Sequence, residues 1–170
     1  MEPLLHFTLP FVAMALLGLK FKKALVASAA ALVLDMDFLL HIHRSLSHSF
    51  VVVMIAMAVL LALTFRSGLK SYVLLSMLAI SSHLVFDLFT YYTPVLWPLY
   101  GDSVWIVADL KVHYGSALTL LPNFSILTQP VSFQPFQSAE GTLLSSEGLI
   151  ISVMLLVAAL FVYVRRTFQD

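Results

Sequence analysis

Long apolar segments separated by short polar turns dominate the chain and predict membrane-spanning helices. A helix needs about 17–25 mostly apolar residues to cross a bilayer. Five segments have this character, at residues 3–19, 24–40, 49–65, 69–89 and 148–164. The pattern therefore predicts an all-α fold, a polytopic membrane bundle of about five transmembrane helices that forms a single domain over residues 1–170.

The stretch between the fourth and fifth predicted spans, residues 90–147, has a different pattern. It holds five of the seven prolines and both tryptophans, and charged residues are sparse. Tryptophan is typical of the membrane–water interface, and proline of irregular backbone. We predict a long outer loop with a short surface helix over residues 104–114. Its remainder, residues 116–146, is long enough to be a lid over a site or a disordered segment.

Charged residues alternate between the two sides of the predicted spans. Seven cations lie in the turns and the tail assigned to one side: Lys20, Lys22, Lys23, Arg66, Lys70, Arg165 and Arg166. The other side carries all six histidines and eight of the nine acids, but only two cations, Arg44 and Lys111. Since cytoplasmic loops are enriched in Lys and Arg, we expect a protein of the cell (inner) membrane with its N-terminus outside and its C-terminus cytoplasmic.

Composition narrows the chemistry that the chain can carry. Charged residues make up 11% of it, against about 25% in soluble domains. Because the charges are segregated by side and leave no basic patch, nucleic-acid binding is not expected. Cysteine is absent, which excludes disulfides and thiolate ligands or nucleophiles. A metal must therefore be held by histidine and carboxylate, a ligand set that suits zinc, manganese or iron.

Ionisable residues at the outer ends of the spans are the candidates for function, because such groups are costly in a bilayer and usually have a role. His83 and Asp87 are four residues apart, so they share one helix face. They can bind one metal together, or the carboxylate can orient the imidazole. A hydrogen-bonded pair that joins two helices explains them equally well.

Asp35 and Asp37 lie two residues apart within an apolar stretch. On a helix they point in different directions, so we expect them to serve two neighbouring positions. Two unpaired carboxylates there would repel each other and be costly to desolvate, and a cation, either Arg44 or a metal, would remove both penalties. The alternative is that the second span ends before Asp35 and that both acids are solvated.

Further histidines and one arginine complete the candidates. His6 stands alone in the first span, and a lone histidine is often only a structural donor. His43 and Arg44 precede His48; arginine suits bidentate recognition of phosphate or carboxylate, although an exposed polar loop would have the same sequence. Six residues from three or four separate helices nevertheless converge on one membrane face and form the predicted metal set: His6, Asp35, Asp37, His48, His83 and Asp87.

These motifs resemble those of the YdjM-like family of inner-membrane proteins, which are described as metal-dependent hydrolases and include a bacterial member linked to LexA. The shared strings are DMD at 35–37, HRSLSHS at 43–49, HLVFDLFT at 83–90 and LWP at 96–98. Two positions depart from the family pattern, since Leu34 replaces a proline and Ser47 a threonine. The resemblance covers roughly residues 1–100 and implies a remote similarity to zinc-dependent phospholipase C and single-strand nucleases.

We therefore hypothesise a membrane-embedded, metal-dependent hydrolase with an outward-facing site for one to three divalent ions, with zinc ahead of manganese. A metal-bound water would be the nucleophile. Asp37 or His43 would act as general base or acid, and Arg44 would bind the anionic group of the substrate. The depth of the site favours a phospholipid or a lipid-linked phosphate ester as substrate.

Two other classes of protein fit the same residues. A transporter or metal-handling protein could use the cluster, but the inner half of the predicted bundle lacks polar groups along a path. A non-catalytic structural protein could use it as an ion-paired staple between helices, and such a protein would bind no metal. The sequence leaves the oligomeric state open.

Overall fold

Helices account for most of the fold. The computed structural model describes residues 2–42, 44–115, 118–135 and 144–167. The helices are α1 (Pro3–Leu16), α2 (Phe21–Ala31), α3 (Phe50–Thr64), α4 (Lys70–Thr90) and α5 (Ser146–Thr167). Two 3₁₀ segments, Leu32–Leu40 and Leu46–His48, lie between α2 and α3, and two strands, β1 (Asp102–Tyr114) and β2 (Leu118–Pro130), lie between α4 and α5.

Among the described residues, two helices are long and apolar enough to cross a membrane, Lys70–Thr90 and Ser146–Arg165. The helices α1 and α3 are apolar but have only 14 and 15 residues. At about 1.5 Å per residue they measure roughly 21–23 Å, less than the roughly 30 Å of a hydrocarbon core. The prediction of a mainly helical chain is confirmed, and two of the five predicted spans meet this test of length and composition.

Small side chains bring α1, α2 and α4 into close contact. Ala24, Ala27 and Ala31 of α2 are fully buried and form one cluster with Met14 of α1 and Ala79 of α4. Small residues let helix backbones approach closely, which favours association where lipid supplies no hydrophobic driving force. A second cluster packs α3 and α4 against the first 3₁₀ segment: Leu34, Val53, Met57, Val73, Ile80 and Leu84. Helix α4 belongs to both clusters and is the centre of the bundle.

The predicted second span, residues 24–40, changes its helix type halfway. Helix α2 ends at Ala31, and the chain continues as a 3₁₀ segment to Leu40. Such a segment has about three residues per turn, so Asp35 and Asp37 lie on different sides of it. His41 ends the segment in the left-handed region, with φ 56°.

The prediction of a surface helix over residues 104–114 is wrong, because these residues belong to β1, which forms an antiparallel hairpin with β2. Strand β1 is rich in β-branched and aromatic residues, which favour strands. Strand β2 tolerates Pro122 because each strand of a two-stranded sheet has a free edge. The all-α prediction is therefore incomplete, and much of the predicted loop 116–146 is strand. Residues 116–117 and 136–143 of that loop lie outside the described residues.

The base of the hairpin is attached to the end of α4. Thr93 and Val104 exchange two main-chain hydrogen bonds of 2.9 Å. The indole of Trp105 packs against the rings of Tyr91 and Tyr92, with centroids 5.7 and 5.4 Å away. These contacts place the start of the hairpin beside the residues that follow Asp87.

Candidate metal centre

The six residues predicted to bind metal lie at one end of the helical bundle. They come from α1, the two 3₁₀ segments and the last turns of α4. Four of them, here called the four-residue cluster, offer ligand atoms that all lie within 4.8 Å of one another: Asp35, His48, His83 and Asp87. Three of these side chains are fully buried, and that of Asp35 is 17% exposed.

The contacts within the four-residue cluster are uniform. His48 Nε2 lies 3.5 Å from Asp35 Oδ1 and 3.1 Å from Asp87 Oδ2. His83 Nε2 lies 3.4 Å from the same Asp35 oxygen and 3.3 Å from the same Asp87 oxygen. Two imidazole nitrogens and two carboxylate oxygens therefore alternate around one small space.

The four nitrogen–oxygen distances, 3.1–3.5 Å, are close to those around a divalent ion. Ligand bonds of about 2.0–2.2 Å in a tetrahedral zinc site place the donor atoms about 3.3–3.6 Å apart. Asp35 Oδ1, His83 Nε2 and Asp87 Oδ2 are buried and form no hydrogen bond with any described residue, whereas buried polar atoms are normally satisfied. A cation between these atoms would satisfy them together.

Asp37 lies behind His48 rather than within the cluster. Its Oδ2 is 3.2 Å from His48 Nδ1 and accepts hydrogen bonds from Ser45 N–H, Ser45 Oγ and Ser47 Oγ at 3.1, 3.2 and 2.6 Å. A carboxylate on the far ring nitrogen fixes the tautomer and orientation of a ligating histidine. Asp37 is only 7% exposed, so the alternative of two solvated acids is wrong. Asp35 and Asp37 serve two neighbouring positions, one on each side of the His48 ring.

Arg44 is buried against Asp87 rather than exposed in a loop. Its guanidinium lies 3.3 Å from Asp87 Oδ1 and donates to Thr90 Oγ1 at 2.7 Å and to Thr93 Oγ1 at 3.0 Å. It also donates to the main-chain carbonyls of Asp87 and Tyr92 at 3.4 Å. Asp87 thus turns one oxygen towards Arg44 and the other into the cluster. The role of Arg44 in substrate binding stays a prediction, and the alternative of an exposed loop residue is wrong.

His6 lies beside the cluster, on the side of Asp87 that faces Arg44. Its ring packs on that of His83 with centroids 4.0 Å apart, and its Nε2 is 3.6 Å from Asp87 Oδ1. The position suits either a further ligand or a group that carries a proton, and the metal role of His6 stays a prediction. His43 lies outside the described residues, so its catalytic role also stays a prediction.

The charge of His48 reflects its carboxylate neighbours. Burial alone would disfavour the protonated ring, but close contact with the carboxylates of Asp35, Asp37 and Asp87 outweighs burial and raises the pKa of His48 to about 10. In the absence of a metal the ring therefore holds a proton at neutral pH. A ligating imidazole nitrogen must be unprotonated, so a metal ion would displace that proton.

The hydroxyl groups that hold the charged residues are not identified by the sequence analysis. They lie within or directly after the recognised motifs: Ser45, Ser47, Thr90 and Thr93. Thr90 follows Asp87 by three residues on the same helix, a spacing that brings side chains together and that could have indicated its role. Thr93 lies beyond the end of α4, and no spacing in the sequence links it to Arg44.

Comparison with protein families supports the resemblance that the motifs indicate. A family model described as "YdjM inner membrane protein" matches residues 1–168. The match extends well beyond residues 1–100 and includes the hairpin and α5. Comparisons with curated proteins and with solved structures give no match. The chain therefore belongs to the YdjM family of inner membrane proteins.

Proposed function

We propose that the protein is a membrane-embedded, metal-dependent hydrolase. The observation that carries this proposal is the four-residue cluster, in which nitrogen and oxygen atoms approach one another to 3.1–3.5 Å. Zinc is the first candidate metal and manganese the second. We propose one ion in this cluster, and a second ion only if His6 is also a ligand. A bound divalent ion would supply a Lewis acid and an activated water for hydrolysis.

The residues around the cluster would orient its ligands. Asp37 holds His48 through Nδ1, which turns Nε2 towards Asp35 and Asp87. Since Asp37 Oδ2 already accepts three hydrogen bonds, orientation of His48 is better supported for it than proton transfer. His6, at 3.6 Å from Asp87 Oδ1, is placed to accept or donate a proton during the reaction.

The surroundings of Asp35 favour an amphipathic substrate. Asp35 is the most exposed member of the cluster, although both of its carboxylate oxygens are buried, so a reacting group would reach the cluster past its side chain. The same 3₁₀ segment exposes Val33 by 60% and Met36 by 56%. A substrate with a polar ester and an apolar tail would match both surfaces, and we propose a phospholipid or a lipid-linked phosphate ester.

We further propose that all five helices cross the membrane and that the cluster faces outward. Helix α1 starts near His6 and runs towards Lys20, whereas α4 starts at Lys70 and ends near Asp87. The basic turns therefore lie at the helix ends opposite the cluster, and cytoplasmic turns are the ones enriched in cations. This orientation leaves the N-terminus outside and the C-terminus in the cytoplasm. The short α1 and α3 would require local thinning of the bilayer. Helix α2 has 11 residues and would cross only together with the 3₁₀ segment that follows it.

Metal analysis tests the proposed site. Detergent-purified wild type should contain a divalent ion in stoichiometric amount, and folded His83→Ala and Asp35→Ala variants should not. His113→Ala is a matched control because His113 is exposed on the hairpin, away from the cluster, and it should retain the metal. A folded wild type that binds neither zinc nor manganese after reconstitution would contradict the hydrolase proposal and support a structural staple.

An activity screen and a labelling experiment test the remaining parts. The metal-loaded protein should hydrolyse a phospholipid or a lipid phosphate, and the His83→Ala variant should not. A protein that binds metal but hydrolyses none of the substrates in the screen would instead be a metal-handling protein. For orientation, an impermeant maleimide should label Asp109→Cys but not Lys22→Cys in intact cells. The chain has no cysteine of its own, so either label reports one position, and the reverse pattern would contradict the outward site.

A further inference from the structure

One face of the β1–β2 hairpin carries apolar side chains along its length. Alternate residues of a strand point to opposite faces, and the register places Ile106 opposite Ile126 and Val112 opposite Leu120. The side chains on this face, here called the apolar hairpin face, include Ile106, Leu110, Val112, Leu120, Phe124 and Ile126.

The charged residues of β1 beyond its base lie on the opposite face. Asn123 stands opposite Asp109 in the register and donates a hydrogen bond of 3.1 Å to its Oδ2. Lys111 Nζ lies 4.0 Å from the other oxygen of Asp109. The two charges balance, so this face has polarity without net charge. The hairpin is therefore an amphipathic ribbon.

The apolar hairpin face is open in the described part of the chain. The exposed fractions are 62% for Leu110, 59% for Val112, 60% for Leu120 and 70% for Phe124. Large contiguous apolar patches on a protein surface mark interaction sites. A two-stranded hairpin alone is also only marginally stable in water. Both facts indicate an apolar partner for this face.

We propose that the apolar hairpin face lies on lipid, in the interfacial region of the leaflet nearest the four-residue cluster. The hairpin leaves α4 at the cluster end of the bundle, where Tyr91, Tyr92 and Trp105 pack together, and such aromatic groups are enriched at membrane interfaces. The last turns of α4 also expose Val85 by 49% and Phe89 by 50%. An exposed apolar surface thus extends from a membrane helix to the hairpin that follows it.

The backbone indicates that the hairpin lies in the interface and does not cross the membrane. Beyond Val104, which pairs with Thr93, each strand pairs only with the other strand among the described residues, so both outer edges present unpaired N–H and C=O groups along most of their length. Hydrocarbon cannot satisfy such groups, whereas water and headgroups can. The balanced charges of Asp109 and Lys111 imply further that contact requires no anionic headgroup. This inference depends on the membrane location of the family and not on the proposed hydrolysis.

Single-cysteine spin labelling of the full-length chain tests this contact. We would label Val112→Cys and Leu120→Cys on the apolar hairpin face and their sequence neighbours Lys111→Cys and Thr119→Cys on the opposite face. All four positions are exposed, so the substitutions should leave the fold intact. Each variant is placed in phosphatidylcholine nanodiscs at one copy per disc. Collision rates are then measured with oxygen, which partitions into lipid, and with a water-soluble nickel chelate.

We expect the labels at Val112 and Leu120 to meet oxygen several-fold more often, relative to the nickel chelate, than the labels at Lys111 and Thr119. Equal ratios at all four positions would overturn the proposal, because both faces would then lie in the same environment, in water if the ratios are low and in lipid if they are high. If low accessibility at Val112 and Leu120 appears only at two copies per disc, with spin–spin broadening, the partner is a second copy and the lipid proposal fails. Since none of these positions is near the cluster, a failed result leaves the metal proposal unaffected.

Discussion

The four-residue cluster and the apolar hairpin face contrast with their surroundings in opposite ways. The cluster places imidazole and carboxylate groups, with side chains 0–17% exposed, inside an apolar bundle. The hairpin exposes Phe124 by 70% and Leu110 by 62% at the end of that bundle. Either arrangement is unfavourable in isolation, because buried charges need partners and large apolar patches need cover. We infer that the two regions fit different partners, a cation for the first and lipid for the second.

The largest effect is expected where the cluster and its supporting charges share one residue, in Asp87→Asn. The substitution removes the charge of a proposed ligand and leaves Arg44 buried without its counterion. We expect loss of the bound metal and a fall of about 3 kcal/mol in the free energy of unfolding, as when one partner of a buried ion pair is removed. Elemental analysis and denaturation in detergent measure the two effects. Asp109→Asn on the exposed hairpin is the control, and normal metal content in Asp87→Asn would show that Asp87 is not a ligand.

A smaller effect is expected for Arg44→Lys, which keeps the positive charge. A lysine cannot reach Asp87, Thr90 and Thr93 at once, because it lacks the planar fork of donors. Loss of these hydrogen bonds should lower the free energy of unfolding by about 1–3 kcal/mol and weaken metal binding less than Asp87→Asn does. If Arg44 instead binds substrate, stability should remain unchanged and only the activity should fall.

Asp37→Asn separates orientation of a ligand from ligation itself. The amide oxygen can still accept from Ser45 and Ser47, so we expect little change in stability. The negative charge of the carboxylate beside His48 Nδ1 is lost, however. Loss of such a supporting group typically weakens metal binding about 10–100-fold. Titration with zinc and a competing chelator measures the affinity. Complete loss of metal, equal to that in Asp35→Ala, would indicate that Asp37 is itself a ligand.

The affinity for metal should rise about tenfold for each unit of increase in pH. The pKa of His48 is raised to about 10 in the absence of metal, so below that pH the proton must leave before the ring can ligate. Affinity for zinc should therefore rise as the pH increases from 7 to 9, with at least one proton released per ion bound. Calorimetry in two buffers of different ionisation enthalpy counts this proton. An affinity independent of pH over this range would mean that His48 does not ligate.

The sequence predicts the cluster better than it predicts what surrounds it. The spacing of His83 and Asp87 on one helix face, and the placement of acids within an apolar span, indicate the cluster without any knowledge of the fold. The burial of Arg44 could not be predicted, because its partners Thr90 and Thr93 lie more than forty residues away in the chain.

The hairpin is missed for a different physical reason. Its apolar residues alternate with a period of two. Each strand taken alone nevertheless has the composition of a loop, because it contains polar residues and, in β2, Pro122. Only the register, which pairs Ile106 with Ile126, shows that the apolar positions of both strands form one face. The helical part of the fold is predicted by local patterns, whereas the hairpin depends on the pairing of two distant segments.

The smallest effect on the cluster is expected for Phe124→Ser on the apolar hairpin face. Phe124 is 70% exposed and surface substitutions rarely change stability by more than about 0.5 kcal/mol, so metal content and the unfolding midpoint in detergent should match the wild type. A substantial loss of metal would show that the two regions are coupled. The path for such coupling is short, because the hairpin packs on Tyr91 and the guanidinium of Arg44 lies 5.6 Å from the centre of that ring. An unchanged metal site together with reduced lipid contact would establish that the two regions respond to their partners independently.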